Sequence, residues 1–305
     1  MTVAGWVLGA LAVLALGCLG YGVFIEQRCY QLRRVEVPIL PPGHQPIKIL
    51  HLSDLHLMPN QVKKQSWVRA LARLQPDLII NTGDNLGSAT ALLALEFSFE
   101  PLLGTPGIFV LGSNDIYAPR PTNPLRYFSS RQGAQPVRYL PTQDLIAMMT
   151  TMGWANAEQQ RLVFSLRDSQ IEIRGCSDAH INAGDYATVM GESTSQVDIL
   201  VAVTHAPYQS VMNLMVEDGV DLIFAGHTHG GQVCLPGGRA LTTNCDLPTK
   251  QAKGLSQYSC QLGSAWLHVS AGLGTSPYAP YRFCCPPEAS LLTLVERKSP
   301  SETRT

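Results

Sequence analysis

Residues 47–56 read IKILHLSDLH, a short apolar run that ends in a polar cluster containing Asp54 and His56. A run of this length, bounded by polar residues, is typical of a buried strand. Two more apolar runs end in the same way, at TGD in residues 82–84 and at GSND in residues 112–115. Amphipathic segments separate the three runs and are predicted to be helices, at residues 61–74 and 89–103. This alternation predicts an α/β domain with polar side chains at the carboxyl ends of its strands.

In the second half of the chain, predicted strands again end in polar residues. A predicted strand at residues 197–204 leads to His205, and another at 220–225 leads to GHTH in residues 226–229. A helix is predicted near residues 209–217, between these two strands. Two further strands are predicted after them, at residues 265–270 and 290–295.

The length and composition of the chain limit the possible classes of protein. Its 305 residues suit one large domain or two modest ones. The 22 basic and 23 acidic residues give a net charge of −1, which argues against nucleic-acid binding through bulk positive charge. Hydrophobic residues make up 45%, so disorder is not expected as the dominant state. We expect one domain over residues 47–296 and a disordered tail over residues 297–305.

The amino-terminal segment is apolar. Residues 3–25 contain no charged side chain, and as a helix they would reach about 35 Å, enough to cross a hydrocarbon core of about 30 Å. We therefore predict a single-pass transmembrane anchor at residues 1–27. A cleaved signal peptide, or lipidation at Cys18, is the alternative. It is disfavoured because no basic residue precedes the run and because the run is longer than a usual signal core.

Basic residues lie on one side of this span only. Arg28, Arg33 and Arg34 follow it, and no arginine or lysine precedes it. This asymmetry predicts a cytoplasmic globular domain, and an extracytoplasmic domain stays open as the alternative. Because residues 32–46 contain four prolines, residues 28–46 are predicted to form an extended linker.

The polar clusters at the predicted strand ends combine imidazole, carboxylate and amide groups without a thiolate. This mixture suits divalent Mn, Fe or Zn rather than a structural zinc site. A structural histidine is the alternative for any single member, but the ordered set favours metal binding. Because the set is larger than one ion needs, we predict two divalent metal ions. Its members are Asp54, His56, Asp84, Asn114, His205, His227 and His229.

Together these motifs resemble those of the calcineurin-like metallophosphoesterases. The resemblance covers residues 47–294 and rests on D-x-H, G-D-N, a G-N-H-D-like loop, an isolated histidine and G-H-T-H. Residues 230–232 and 272–276, with Arg282 and Glu288, are similar to the membrane-linked bacterial branch. The resemblance implies a four-layer β-sandwich flanked by helices, with two metals at the sheet ends.

The same resemblance implies a mechanism. A metal-bound hydroxide would attack phosphorus while both metals neutralise the phosphoryl oxygens, and a phosphodiester or phosphoanhydride would be hydrolysed. The resemblance assigns each donor to a metal: Asp54, His56 and His229 to the first, Asn114, His205 and His227 to the second, and Asp84 to both.

One motif departs from the family pattern. Residues 112–115 read GSND where the family usually has GNHD, so register alone places Ser113 at the ligand position and Asn114 at the position of the assisting histidine. Serine is a poor ligand for such metals. We therefore expect a small loop shift that lets the Asn114 side-chain oxygen reach the metal, and we predict that Asp84 and Asn114 are catalytic.

The departure also removes the histidine that assists the leaving group. Without a general acid, a substrate whose leaving group is stable as an anion is favoured, and the rate should depend steeply on leaving-group pKa. His180 could replace the missing acid and is predicted to be catalytic. A structural loop histidine is the alternative.

The substrate is less well specified than the chemistry. Residues 117–139 carry four arginines and no acidic residue. Arg120 and Arg126 are predicted to bind an anionic substrate, and a solvated surface loop is the alternative. The substrate is expected to be a phosphorylated small molecule or, because of the anchor, a lipid-linked one. No nucleic-acid partner is expected, and the sequence does not predict an oligomeric state.

Two other functions compete with phosphoester hydrolysis. A non-catalytic interaction module with an impaired metal site is supported only by the altered loop at residues 112–115. An amide-cleaving metallohydrolase lacks an H-E-x-x-H signature. A metal-dependent phosphoric ester hydrolase of the phosphodiesterase or pyrophosphatase type is therefore the leading prediction.

Overall fold

The computed structural model describes residues 2–120, 137–193 and 196–297. Within these ranges, two six-stranded sheets pack face to face, and helices cover their outer faces. The predicted four-layer α/β sandwich is therefore confirmed.

The strands are numbered in chain order, and each sheet is given from one edge to the other. The first sheet contains β1 (Gln31–Leu40), β12 (Glu288–Glu296), β2 (Ile47–Leu52), β3 (Leu78–Asn81), β4 (Gly107–Phe109) and β5 (Trp154–Asn156). The second sheet contains β10 (Gly254–Cys260), β11 (Gly263–Val269), β9 (Leu222–Ala225), β8 (Ile199–Thr204), β7 (Ser169–Cys176) and β6 (Arg161–Leu166).

The core lies between the two sheets and consists of branched apolar side chains. Ile49 and Ile80 of the first sheet share a buried cluster with Val201 and Phe224 of the second. Each such side chain that is removed from water contributes about 1.5–3 kcal/mol to the free energy of unfolding. Because both faces of the central strands are covered, these strands are continuous apolar runs, which is why the sequence pattern identified them.

The helices occupy the outer layers. Their ranges are α2 (Val62–Ala70), α3 (Leu92–Phe99), α5 (Thr142–Thr151) and α6 (Gln209–Glu217); a short α4 (Ser113–Ile116) follows β4. On the first sheet, α2 and α3 pack against each other, and α5 packs against β5. On the second sheet, α6 packs against β10 and β11. Three of these, α2, α3 and α6, fall within the helices that the sequence predicts.

The apolar amino-terminal segment forms α1 (Val3–Phe24), whose side chains are almost all exposed. The helical stretch continues to Arg28, and within the described ranges it is long and apolar enough to cross a membrane. Its carboxyl end is tied to the domain, because the buried Glu26 carboxylate accepts the backbone N–H groups of Cys284 and Cys285.

The prediction that residues 28–46 form an extended linker is wrong for most of their length. Residues 31–40 are strand β1, which pairs in parallel with β12 from Gln31 opposite Glu288 onward. Prolines suggested a linker, but β1 is an edge strand, where Pro38 removes no hydrogen bond to a second neighbour. Only residues 41–46 connect β1 to β2.

The predicted tail begins inside the described part of the chain. The Arg297 guanidinium donates to the Ile39 carbonyl at 2.7 Å and pairs with Asp221 at 2.7 Å. Arg297 is therefore part of the fold, and residues 298–305 lie outside the described residues.

Candidate metal centre

The candidate site forms where the carboxyl ends of parallel strands meet. Strands β2, β3 and β4 run in parallel in the first sheet, and β7, β8 and β9 do so in the second. Because the sheets are stacked, the loops after these strands project their side chains into one space. Those loops carry all seven predicted metal ligands: Asp54, His56, Asp84, Asn114, His205, His227 and His229.

Four of the predicted ligands form a compact buried group. The ligand atoms of Asp54, His56, Asp84 and His229 all lie within 4.8 Å of one another, so the group could hold a metal ion. His56 Nε2 lies 3.3 Å from Asp84 Oδ2, and His229 Nε2 lies 3.5 Å from Asp54 Oδ1. The two imidazole Nε2 atoms are 3.2 Å apart.

Two of the other three predicted ligands, Asn114 and His205, also lie next to Asp84, and His227 lies next to His205. The backbone N–H and the side-chain amide of Asn114 donate to the two carboxylate oxygens of Asp84, at 2.7 and 2.8 Å. His205 Nε2 lies 3.6 Å from Asp84 Oδ1. The ring of His227 lies 5.2 Å from the ring of His205, measured between centroids. The Asp84 carboxylate is therefore close to predicted ligands of both groups.

An unusual backbone conformation orients most of the predicted ligands. Asp54, His56, Asp84, His227 and His229 all have positive φ, between 39° and 66°. Non-glycine residues avoid this left-handed region, and such conformations cost about 1–3 kcal/mol each. Strain of this kind clusters at functional sites, where the surrounding structure enforces it.

Two glycines, which have no side chain, make space for the donor side chains. A Cβ atom at Gly112 would lie 2.2 Å from Asp84 Oδ1 and 2.6 Å from a carbon of the His205 ring. A Cβ atom at Gly226 would lie 2.0 Å from Ser53 Oγ. Any larger residue at either position would displace a predicted ligand or its hydrogen-bond partner.

Hydrogen bonds to backbone carbonyls set the tautomers of two histidines. His205 Nδ1 lies 2.6 Å from the Thr82 carbonyl, and His229 Nδ1 lies 3.1 Å from the Gly274 carbonyl. A carbonyl only accepts, so each Nδ1 carries a proton, and Nε2 is the nitrogen that is left to bind a metal ion. This is the arrangement of a metal-ligating histidine.

The electrostatics of the group fit divalent cations. Burial raises the pKa of Asp84 to about 7, and Asp54 adds to the rise. Burial alone would lower the pKa of His205, but the carboxylates of Asp84 and Asp178 raise it to about 10. The His205 Nε2 atom has no hydrogen-bond partner among the described residues. A buried carboxylate beside an unpartnered imidazole nitrogen is a donor pair that a cation stabilises.

Behind Asp54 runs a buried hydrogen-bond chain that the sequence analysis did not predict. The Ser53 hydroxyl donates to the Asp54 carboxylate, and the Thr82 hydroxyl donates to Ser53 at 2.6 Å. His51 Nε2 lies 3.0 Å from the Thr82 hydroxyl, and the Nδ1 atoms of His51 and His268 are 2.9 Å apart.

The direction of hydrogen-bond donation along this chain follows from the Asp54 carboxylate at its end. A carboxylate only accepts, and Thr82 already donates to Ser53, so His51 Nε2 donates to Thr82 and His268 donates to His51. Both imidazoles are buried between the sheets. Within IKILHLSDLH, the polar His51 and Ser53 alternate with leucines, and this was the available signal.

The altered loop places Asn114, and not the Ser113 side chain, against Asp84. Ser113 begins α4, and its backbone N–H donates to the Asp178 carboxylate at 3.0 Å. The expected loop shift, with ligation of a metal by the Asn114 side-chain oxygen, stays a prediction.

His180 lies at the rim of the second group of ligands. Its ring centroid is 4.6 Å from that of His227, and its Nδ1 lies 2.9 Å from the Tyr208 hydroxyl. Asp178 accepts the backbone N–H of His180 at 2.8 Å and so ties this residue to the loop of Ser113. A catalytic role for His180 stays a prediction.

Of the two predicted substrate arginines, only Arg120 is among the described residues. Arg120 is half-buried at the end of the first described stretch. Arg126 falls in residues 121–136, outside the described residues. Their substrate-binding role stays a prediction.

A two-sheet sandwich with carboxylates and imidazoles gathered at its strand ends is an arrangement that suits a metal-binding enzyme. The family model of calcineurin-like phosphoesterases matches residues 47–231, more than half of the chain, and the chain belongs to this family. The predicted family is thereby confirmed.

The chain is also similar to proteins of known sequence and to a solved structure. The chain is 25% identical to the uncharacterized metallophosphoesterase YkuE of Bacillus subtilis strain 168 over 94% of each chain. It is 28% identical to a bovine (Bos taurus) transmembrane protein with metallophosphoesterase domain, over 73% of this chain and 50% of that one. The chain thus spans about half the length of the bovine relative. A purple acid phosphatase of yellow lupin (Lupinus luteus) aligns with a TM-score of 0.43 and 11% identity, over 84% of this chain and 55% of that one.

Proposed function

We propose that the protein is a membrane-anchored phosphoesterase with two divalent metal ions, and that it hydrolyses a phosphodiester or phosphoanhydride. The observation that carries the proposal is the position of Asp84, whose carboxylate lies next to His56, Asn114 and His205. One carboxylate facing two groups of donors suits a bridging ligand for a metal pair.

The residues assigned to the ions are those that the family resemblance implies. When bound, the ions supply Lewis acidity that activates water and neutralises phosphoryl oxygens. The chain's own contribution is to hold the donors rigidly through positive-φ loops and through backbone carbonyls that orient the imidazoles. The mixture of carboxylate and imidazole suits Mn, Fe or Zn.

His180 is the proposed proton donor to the leaving group. Its position beside His227 supports this role, and the Tyr208 hydroxyl holds its Nδ1 so that Nε2 is the atom available to a substrate. His180 is exposed, which permits proton exchange with solvent between turnovers. A donor of this kind would extend the substrate range to esters with poorer leaving groups.

Membrane anchoring is proposed from the length and apolar composition of α1. A domain held at the bilayer favours a lipid-linked phosphate substrate over a soluble one, and the cytoplasmic face is the proposed side because the arginines follow the span. Arg120 and Arg126 are proposed to bind the substrate's negative charge.

A metal-reconstituted activity screen tests the central proposal. The purified full chain, loaded with Mn, Fe or Zn, is assayed with aryl phosphodiesters and pyrophosphates while bound metal is counted. Asp84→Asn is expected to lose activity by at least about 100-fold. Asp144→Asn, on the exposed side of α5, is the matched control and should keep activity. Metal uptake without turnover of any substrate would favour the non-catalytic module instead.

A further inference from the structure

A small apolar surface lies beside the end of α1 and is not used by the metal centre. We call it the hairpin face and define it by Val233, Leu235, Leu241, Tyr281 and Phe283. Leu235, Leu241 and Tyr281 are exposed, with 48%, 57% and 37% of their surface accessible, and Val233 and Phe283 are half-buried.

The pairing of three short segments puts these side chains on one side. Cys234 pairs in antiparallel fashion with Ala240, and both are buried in one cluster. Because side chains alternate along extended backbone, Leu235 and Leu241 point to the opposite side. Val233 pairs in parallel with Phe283, which brings the Phe283 ring to that same side.

The carboxyl end of α1 adjoins this face. Tyr21 contacts Phe283 edge-on, with ring centroids 6.4 Å apart. The backbone N–H of Arg282 donates to the Gly22 carbonyl at 3.2 Å, and a Cβ atom at Gly22 would lie only 2.6 Å from the Arg282 carbonyl oxygen. The apolar helix and the hairpin face are therefore continuous, without a spacer between them.

The other side of the same segments supports the metal centre. Arg282 is fully buried, and its guanidinium donates to the carbonyls of Ala271 and Gly274, each at 2.7 Å. The Gly274 carbonyl also accepts from His229, a predicted ligand. The Cys234 thiol donates to the Gly230 carbonyl at 3.3 Å, next to His229. One thin layer of protein thus separates the hairpin face from the ligand loop.

We propose that the hairpin face is the surface of the catalytic domain that contacts the bilayer. It would contact the interfacial region of the membrane that α1 crosses. The inference rests on the proposed anchoring by α1 and deepens it. Exposed leucines and tyrosine beside a membrane helix suit the headgroup–acyl boundary, where aromatic residues concentrate. Arg28 and Arg239 are exposed at the helix end and at the hairpin tip, and they suit anionic headgroups.

This docking would place the metal centre at headgroup level. A lipid-linked phosphate could then reach the site while its acyl chains stay in the bilayer. The proposed substrate class is accordingly a phosphate or pyrophosphate carried on a membrane lipid, rather than a soluble nucleotide.

Depth-dependent fluorescence quenching tests the docking without requiring turnover. The full chain is reconstituted into vesicles of phosphatidylethanolamine and phosphatidylglycerol, with or without bromine on the acyl chains. Leu241→Trp and Leu235→Trp each add a tryptophan to the hairpin face. Leu93→Trp, at a position on α3 that is 77% exposed, is the matched control.

We expect brominated lipid to quench most of the added fluorescence at positions 241 and 235 and little of that at position 93. Equal, weak quenching at all three positions would overturn the docking. Native Trp6 in α1 reports the anchor separately, by comparison with Trp6→Phe. Trp6 fluorescence that brominated lipid does not quench would reject anchoring, and the activity screen judges the proposed chemistry independently.

Discussion

Asn114 donates to both carboxylate oxygens of Asp84, once from its backbone N–H at 2.7 Å and once from its side-chain amide at 2.8 Å. The side chain of Asn114 therefore occupies the space beside the proposed bridging carboxylate, and the Ser113 side chain does not. Rotation of the amide would turn its oxygen toward a cation at the same place. The altered loop is compatible with a second metal position for this reason.

The first prediction separates the two residues of that loop. Asn114→Ala should lower kcat at least about 100-fold, because it removes a proposed ligand, and should reduce bound metal from two ions toward one. Ser113→Ala should change kcat by less than about 3-fold, within the range of neutral surface substitutions. Metal counting together with steady-state kinetics measures both effects. Larger damage from Ser113→Ala than from Asn114→Ala would reverse the assignment.

The second prediction concerns the proton donor. His180→Gln should reduce hydrolysis of alkyl and weakly acidic aryl esters by about 100- to 10,000-fold, the usual contribution of a general acid. Esters of 4-nitrophenol, whose leaving group needs little assistance, should be affected far less. Rates measured across a leaving-group series would then depend steeply on leaving-group pKa only in the variant.

Tyr208→Phe is the control for this series, because it removes the hydrogen bond to His180 Nδ1 and keeps the imidazole. In Tyr208→Phe, the dependence of the rate on leaving-group pKa should stay close to that of the unaltered protein. A steep slope already present in the unaltered protein would mean that His180 is a structural histidine and that the enzyme acts without a general acid.

The third prediction tests the buried chain behind Asp54. Thr82→Val keeps the shape of the side chain but breaks the link between His51 and Ser53. Affinity for metal should fall about 10- to 100-fold, as for other residues that orient a ligand. Thr204→Val is the matched control, since the buried Thr204 hydroxyl has no hydrogen-bond partner among the described residues. Equal metal affinity in the two variants, by competition with a chelator, would show that the chain does not position Asp54.

The fourth prediction follows from strand β1. Deleting residues 2–20 should leave the melting temperature unchanged, because Gly22 and Glu26 keep their contacts with residues 282–285. Deleting residues 2–46 should unfold or aggregate the domain. It exposes the edge of β12 and removes the buried Val37, Ile39 and Leu40, each worth about 1.5–3 kcal/mol. Thermal unfolding and gel filtration of both truncations check this, and equal stability would contradict it.

The fifth prediction is a pH dependence of stability. Burial lowers the pKa of Lys64 to about 7, although its ammonium group donates to the Leu55 carbonyl at 2.7 Å. Between pH 7 and 10 the unfolded chain binds a proton at this lysine that the folded chain does not. The free energy of unfolding should therefore rise with pH in this interval, by at most about 4 kcal/mol.

Lys64→Met should abolish this part of the rise, and Lys63→Met should not, because Lys63 is the exposed neighbour. Urea unfolding of the three proteins at several pH values between 7 and 10 measures the difference. Parallel stability curves for the unaltered protein and Lys64→Met would show that Lys64 keeps its ordinary proton affinity in the fold.

Local sequence was sufficient to predict the central strands and to identify the candidate metal donors that follow them. Strand β2 coincides with the apolar run at residues 47–52, and α6 coincides with the predicted helix at 209–217. A strand covered on both faces is a continuous apolar run, and the polar residues that follow it are adjacent in sequence. Both signals are carried by neighbouring residues and need no knowledge of distant contacts.

Long-range pairing decided what local patterns could not. Strand β1 exists because β12, more than 240 residues later, supplies its one hydrogen-bonding neighbour among the described strands. His51 and His268 are likewise 217 residues apart in sequence, and only the packing of the two sheets brings their imidazoles together. The left-handed backbone at Asp54 and Asp84, and the reach of Asn114 to Asp84, depend on the surrounding loops. Donor types and their order are local properties of the chain, whereas their convergence is a property of two sheets that pack face to face.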